Sequence, residues 1–262
     1  MSVDLLKVLS GDDCFINENI KIHQPTLREI MDFGEQQFFN MLYTICAIPS
    51  DVKSQLYDMG IDYMEISDFE LFILYTRDMH NERTKLILGD IDLSEMKINV
   101  DIDENENKLY RLVHIKDSSN ENSEYEDCEI DYYIDEEIYT EMINFIRGMA
   151  NIVPKVEKAA NKFTKDILIR ESRQKALQNA NKKFTSVLHS LIISLVNTEE
   201  FPYDYNSVLD ITLYQLMKSS VQIQTKKQSC ALLQGSMSGF VDTSKIDKKL
   251  MNWMYEEIKD KK

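Results

Sequence analysis

Apolar residues recur at intervals of three and four along most of this chain, and give way to alternation in one central stretch. Leu27, Ile30, Met31, Phe38, Met41, Leu42 and Ile45 fall at helical spacing between Leu27 and Cys46, around a weak point at Gly34. Pro25 and Thr26 open that helix. Thr26 with Glu29 three residues on is a capping box, in which a hydroxyl and a carboxylate each satisfy the other residue's backbone N–H. Residues 1–24 read as a short helix followed by an extended piece, Ile20–His23, suited to an edge strand. A further helix restarts at Pro49-Ser50-Asp51 and stops at Gly60, placed as the glycine just beyond a helix end. Ser67 with Glu70 is a second capping box and begins a helix that runs to about Arg77. Residues 1–84 are thus a helical unit.

Between Lys85 and Ile134 the period changes. Leu86–Leu88, Met96–Ile102, Lys108–Ile115 and Cys128–Ile134 read as strands, Asp103–Asn107 as the turn of a hairpin, and Asp117–Asp127 as a polar acidic loop. Residues 85–134 are therefore a small antiparallel β-hairpin module inserted in a helical body. The helical period returns over Glu136–Met149, and Pro154 marks the next start. Val156, Ala160, Phe163 and Ile167 make that helix's apolar stripe, with Phe163 expected in the core and lysines and arginines on the other faces. Phe184, Leu188, Leu191 and Leu195 form the stripe after it. In the stretch Tyr203–Met254, Val208, Ile211, Leu213, Tyr214, Leu216, Met217 and Val221 cover more than one helix face, which predicts a segment buried on several sides. No internal repeat is visible. The fold expected is α+β and mostly helical, with residues 135–262 a C-terminal helical unit packed with 1–84 as one body.

Composition adds a charge asymmetry. The chain has 262 residues, enough for a sizeable core, and only 7 Gly and 4 Pro, which favours long elements over tight turns. Its net charge is −15. Residues 151–262 carry 18 Lys/Arg against 12 Asp/Glu, or +6, so residues 1–150 carry −21. That excludes non-specific binding of nucleic acid or an anionic membrane by the N-terminal half. Cys14, Cys46, Cys128 and Cys230 stand too far apart for a zinc knuckle or redox pair. Met1–Lys7 lacks the form of a signal peptide, and the longest apolar run, Val187–Val196, is broken by His189, Ser190 and Ser194 and is too short to span a bilayer. Synthesis in a reducing, cytoplasmic compartment is expected.

No constellation of catalytic residues emerges. Asp101, Asp103 and Asn105 match the opening of a calcium loop, but the sixth position is Glu106 instead of Gly and the twelfth is Leu112 instead of Glu. His189 and Ser190 are helix neighbours, whose side chains diverge. His23, His80 and His114 lack metal-ligand spacing. The carboxylates Glu129, Asp131, Asp135, Glu136 and Glu137 read as a solvated face. Gly235–Gly239 lacks the Lys-Ser/Thr of a phosphate loop. The basic stretch 155–183 has Phe163 as its sole aromatic residue, too few for a nucleic-acid platform. No cofactor, metal or enzymatic activity is expected.

Two stretches carry a resemblance. Asp210-Ile-Thr-Leu-Tyr-Gln-Leu216, followed by Leu233-Gln-Gly235, Gly239 and Asn252-Trp253-Met254, is similar to proteins of bacteriophage tail gene clusters from phages and prophages of Gram-positive hosts. Gln24-Pro-Thr-Leu-Arg-Glu-Ile30 and the following Glu35-Gln-Gln-Phe38 resemble the N-terminal pattern of the same family. The resemblance covers about the first 75 and last 60 residues and leaves the hairpin region unmatched. It implies a non-enzymatic tail assembly or virion-associated protein, acting by contact with other phage structural proteins or with itself, in the host cytoplasm during assembly or in the virion tail. Tyr214, Met217, Trp253 and Met254 are the candidate interaction surface, since a tryptophan among methionines is a typical anchor. Against this stands the reading that Trp253 staples the C-terminus to its own core. The charge of residues 1–150 motivates a competing function, an acidic nucleic-acid mimic that blocks a host nuclease or defence complex.

Overall fold

The computed structural model describes residues 4–102, 108–115, 130–180, 182–238 and 246–254. The expected turn at Asp103–Asn107, the acidic loop Asp117–Asp127 and Cys128 lie outside the described residues. The chain is α+β and mostly helical, and its described residues form one sheet of two strands and one of three.

The N-terminal part holds α1 (Leu5–Ser10), the strand pair β1 (Cys14–Phe15) and β2 (Lys21–Ile22), then α2 (Leu27–Phe33), α3 (Glu35–Cys46), α4 (Lys53–Asp58), α5 (Asp68–Thr76) and α6 (Asn81–Leu88). The helical stripe read over Leu27–Cys46 is two helices because Gly34 has φ +100°, a conformation that favours glycine. Its N–H donates to the Ile30 carbonyl at 3.0 Å and its carbonyl accepts from the Phe38 N–H at 2.9 Å, so one residue ends α2 and begins α3. Both expected capping boxes form, at Thr26/Glu29 and Ser67/Glu70.

Leu86–Leu88 is helical, not a strand. The Asp92 carboxylate accepts the Asn81 N–H at 3.0 Å and the Asn81 amide donates to the Gly89 carbonyl at 2.6 Å, closing α6 against the loop after it. Ile87 and Leu88 are both buried in that arrangement, so three consecutive apolar residues carried no strand information. The hairpin itself is as read: β3 (Lys97–Ile102) and β4 (Lys108–Ile115) pair antiparallel, and β5 (Ile130–Ile134) joins the other side of β4. Leu112, opposite both Ile98 and Ile134, anchors the sheet on the core, while Ile102 at its far end is exposed.

After α7 (Glu136–Met149) the chain runs without helix past Pro154 to α8 (Lys162–Ala180), which begins where the Asn161 side chain accepts the Thr164 N–H at 2.9 Å. The stripe Val156, Ala160, Phe163, Ile167 is not core: Val156 is 65% and Phe163 75% exposed. Helix α8 meets α4 along a different line, through Ile169, a Ser54–Ser172 hydroxyl contact and the pairs Lys165–Asp62 and Arg173–Asp58. Its other face meets solvent. Then come α9 (Val187–Val196), a 3₁₀ turn at Ser207–Asp210, α10 (Leu213–Met237) and a second 3₁₀ turn at Lys248–Met251.

One core unites both ends of the chain. It contains Ile30, Phe38, Leu42 and Ile45 from the N-terminal helices, Ile143 and Ile146 from α7, and Leu188, Leu195 and Leu216 from the C-terminal ones. A smaller cluster, Leu56, Tyr63, Leu71 and Ile169, lies under α4 and α8. Arg147 is buried, and its guanidinium donates to the Cys46 carbonyl at 3.1 Å and lies 3.4 Å from the Asp68 carboxylate, as a buried cation requires.

The two stretches that carry the resemblance pair with each other. Thr26 and Thr212 form an isolated antiparallel bridge, the Leu27 N–H donates to the Ile211 carbonyl at 2.9 Å, and the Arg28 guanidinium meets Asp210 at 2.8 Å. Thr212 with Gln215 is a third capping box, like that of Thr26 with Glu29. The Gln215 amide also donates to the Leu9 carbonyl at 2.9 Å, and Gly11 at φ +83° passes so close that a Cβ there would stand 3.2 Å from the Thr212 methyl. Helices α2 and α10 thus start back to back. Losing one capping hydroxyl costs about 1 kcal/mol. Thr26→Ala and Thr212→Ala are each expected to lower unfolding stability by about that amount, with the double variant departing from additivity by about 0.5 kcal/mol or more because the two residues touch; urea unfolding measures both.

Glu29 links this knot to pH. Burial pushes its carboxyl up, but the N–H and hydroxyl of Thr26, each at 2.8 Å, and the His23 ring at 3.2 Å outweigh that and hold it below the ordinary value. A carboxyl lowered on folding contributes stability that is complete above its unfolded pKa, about 4.3, and is lost as pH falls through the folded value. Glu29→Gln is therefore expected to be less stable than the parent at neutral pH, with the gap narrowing below about pH 4 in chemical denaturation.

Candidate interaction surface

The four residues singled out from sequence do not share one patch. Tyr214 is 5% exposed, held in the core with the Lys218 ammonium 5.4 Å above its ring. Met217, a turn later, is half-buried beside α3 and α9. Trp253 lies further along α10: its carbonyl accepts from the Gln222 amide at 3.0 Å and the Lys226 ammonium stands 5.6 Å from its ring. Met254 is 74% exposed. The C-terminal segment folds back along α10, where the buried Ser229 hydroxyl donates to the Leu250 carbonyl at 2.7 Å.

Helix α10 has 25 residues, a length of about 37 Å. The sequence expectation of burial on several sides holds for Val208, Ile211, Leu213, Tyr214 and Leu216 and fails for Val221, which is exposed. Val208 and Ile211 precede the helix, so only its first turns are enclosed. From Lys218 onward its fully buried residue is Ser229, covered by the folded-back segment.

Sequence reading placed a helix at α9 but missed how much of it is exposed. Seven of its ten residues are apolar, yet only Leu188 and Leu195 are fully buried. Val187 is 63% exposed and Ile193 is also exposed, beside His189, Ser190 and Ser194, so the helix forms a ridge with a mixed crest and apolar flanks at Leu191, Ile192 and Val196. A cleft of about 450 Å³ lies on one side, between α3 and the start of α10, lined by Phe39, Tyr43, Phe184, Leu191 and Met217. The Phe39 and Tyr43 rings stack along its wall with centroids 6.1 Å apart. On the other side, Met31, Ile192, Ile193, Tyr205 and Leu209 line a second cleft of about 520 Å³. The signal was present in the run Val187–Val196, but a single-faced stripe and a two-sided ridge differ little in so short a helix.

The ridge is held by a carboxylate from the far end of the sequence. Glu35, just past the Gly34 bend, accepts the N–H groups of Val187 at 2.8 Å and Leu188 at 3.0 Å, and takes the Ser186 hydroxyl as well. The Ser186 oxygen in turn accepts the His189 N–H at 2.9 Å. These are the unpaired donors of a helix N-terminus, and a negative charge there also meets the positive end of the helix dipole.

Other candidates are structural. The Ser190 hydroxyl donates to the Ser186 carbonyl, inside its own helix, instead of meeting His189. His23 pairs with Asp13 and Glu29, His80 with Ser94, and His114 stacks on Tyr132. Burial pushes the Cys46 thiol up to about 12, so it is a core group and not a nucleophile. Asp101 pairs with Arg111 at 3.0 Å. Among the described residues no group of three or more His, Cys, Asp or Glu is arranged to hold a metal ion. A polar cleft between α4 and α8 holds the nearly buried Lys53, whose ammonium is paired with Glu157.

The arrangement defines a helical α+β protein whose most developed surface is a ridge with apolar flanks between two clefts, on a chain otherwise rich in charge. The model of the YomV second domain matches residues 179–257, the stretch that contains α9, α10 and the folded-back Trp253 segment. YomV is a protein of a Bacillus phage or prophage region, and the similarity covers 79 of this chain's 262 residues. No curated protein and no solved structure matches it. Among the described residues no helix is long and apolar enough to cross a membrane.

Glu35→Ala removes the cap of α9 while leaving the ridge residues in place. Helix-cap losses run about 1–2 kcal/mol. The variant is expected to lose stability of that order in urea unfolding, with hydrogen-exchange protection falling first at the amides of residues 187–190.

Proposed function

We propose that this protein is a bacteriophage tail assembly or virion-associated protein that works by contact with other phage structural proteins, not by catalysis. The observation that carries the reading is the exposed α9 ridge, inside the segment similar to the YomV second domain, with the two clefts that it forms against α2 and α3. Apolar surface of this kind on a chain with a net charge of −15 is what a contact site looks like before its partner arrives. The resemblance of the paired Gln24–Ile30 and Asp210–Leu216 stretches to tail gene-cluster proteins supplies the context, host cytoplasm during assembly or the virion tail. Trp253 and Met217 enter this reading differently. Met217 lines a cleft, whereas Trp253 shapes the arm formed by α10 and its folded-back segment.

The rival reading, an acidic nucleic-acid mimic, is motivated by the −21 charge of residues 1–150. Salt and substitution separate the two. Co-produced with the products of neighbouring tail genes, the protein is expected to form a complex that survives about 0.5 M salt, where exposed charges are screened beyond a few ångströms. Val187→Asp and Ile193→Asp, both at exposed positions and each checked for native unfolding stability, are expected to weaken it about 30-fold, the equivalent of a hot-spot loss of about 2 kcal/mol. Affinity that ignores both substitutions and collapses by about 0.2 M salt would instead favour the mimic.

A further inference from the structure

The cleft between α3 and α9 differs in charge from the chain around it. Its lining includes Lys182 and Lys183 and not one Asp or Glu, in a protein with 45 acidic residues and a net charge of −15; the Glu35 carboxylate close by is engaged on the N–H groups of Val187 and Leu188. The Lys182 ammonium donates to the Asn179 side chain at 2.9 Å, a neutral acceptor, and neither lysine belongs to an ion pair among the described residues. Along the rest of the trough the walls are apolar: Phe39 and Tyr43 from α3, Phe184 and Leu191 opposite, and Met217 from α10. Tyr43, Phe184 and Val187 all expose large apolar area to it or beside it. A trough of this form has two requirements of whatever lies in it, apolar anchors along its length and negative charge toward the two lysines.

Resting on the contact-surface reading above, we propose that this trough seats an acidic amphipathic helix of a partner protein. Its apolar face would carry anchors spaced three and four residues apart, and its Asp or Glu residues would lie beside Lys182 and Lys183. A helix is the fitting occupant because the long walls are the side chains of α3, α9 and α10, onto which an amphipathic helix packs its apolar face, while the non-helical segment 182–185 closes one end. Acidity is specified locally. The net charge of the whole chain favours basic partners, so a preference for acidic peptides has to come from local cations, of which Lys182 and Lys183 line the trough.

The test is a display selection on the full chain, using a library of helical peptides of about 16 residues with a fixed leucine stripe and randomised polar positions. Selected peptides are then synthesised and measured by fluorescence anisotropy at about 0.15 M salt. Enrichment of Asp and Glu is expected, with binding reduced at least about tenfold by Tyr43→Asp, an exposed position, and the charge preference reversed by Lys182→Glu with Lys183→Glu. If selected peptides lose binding with Tyr43→Asp but are neutral or basic, the acidic class is wrong while the contact surface stands. If no selected peptide responds to Tyr43→Asp or Val187→Asp, the trough is not a docking site and this proposal is overturned, while the surface reading is decided separately by Ile193→Asp in the second cleft. If sedimentation shows a micromolar dimer that Tyr43→Asp dissolves, the occupant is a second copy and the proposal is overturned.

Discussion

The structure depends on a contact only a few residues long: the antiparallel bridge between Thr26 and Thr212, sealed by the Leu27–Ile211 hydrogen bond and the Arg28–Asp210 pair. Each threonine caps a helix, so the bridge fixes where α2 and α10 begin and the angle at which they leave. Everything after follows from those two directions. Helix α2 runs to Gly34, whose left-handed backbone delivers Glu35 to the start of α9, 152 positions away in sequence. Helix α10 places Leu213 and Leu216 in the core and Met217 at the edge of a cleft. Two local capping motifs, each ordinary alone, set the global arrangement once they are joined.

Much of this was legible in the chain. The capping boxes at Thr26 and Ser67, the weak point at Gly34, the helix end at Gly60 and the β3–β4 hairpin are local signals, set by neighbours within four or five residues. Where the reading failed, the deciding partner was remote. Leu86–Leu88 is helical because Asn81 and Asp92 close a loop around it. Phe163 is exposed because α8 meets the body through Ile169 and its ion pairs, a choice that period alone does not dictate. The kinship of Gln24–Ile30 and Asp210–Leu216, both Thr-Leu-x-Glu/Gln-Ile/Leu, passes unseen as a repeat because it is one helix start used twice at opposite ends of the chain.

The candidate site was half legible for the same reason. Sequence drew attention to Tyr203–Met254 through its tryptophan and methionines, and the matched segment, residues 179–257, contains that stretch. Yet the ridge is α9, just before that stretch, whose exposure depends on how much of it α2, α3 and α10 leave uncovered. Tyr214, apolar in pattern and well placed by motif, is consumed by the core. Residue type shows what can be buried; the neighbours decide what is.

Helix α10 is a rod rooted in the Thr26–Thr212 knot and free for most of its length, stiffened by the segment that folds back on it. Its root is shared. The Gln215 amide that completes the rod's capping box also donates to the Leu9 carbonyl, so the first turn of α10 is at the same time the seat of α1. One side chain closes a helix near the C-terminus and moors one near the N-terminus, 206 positions away.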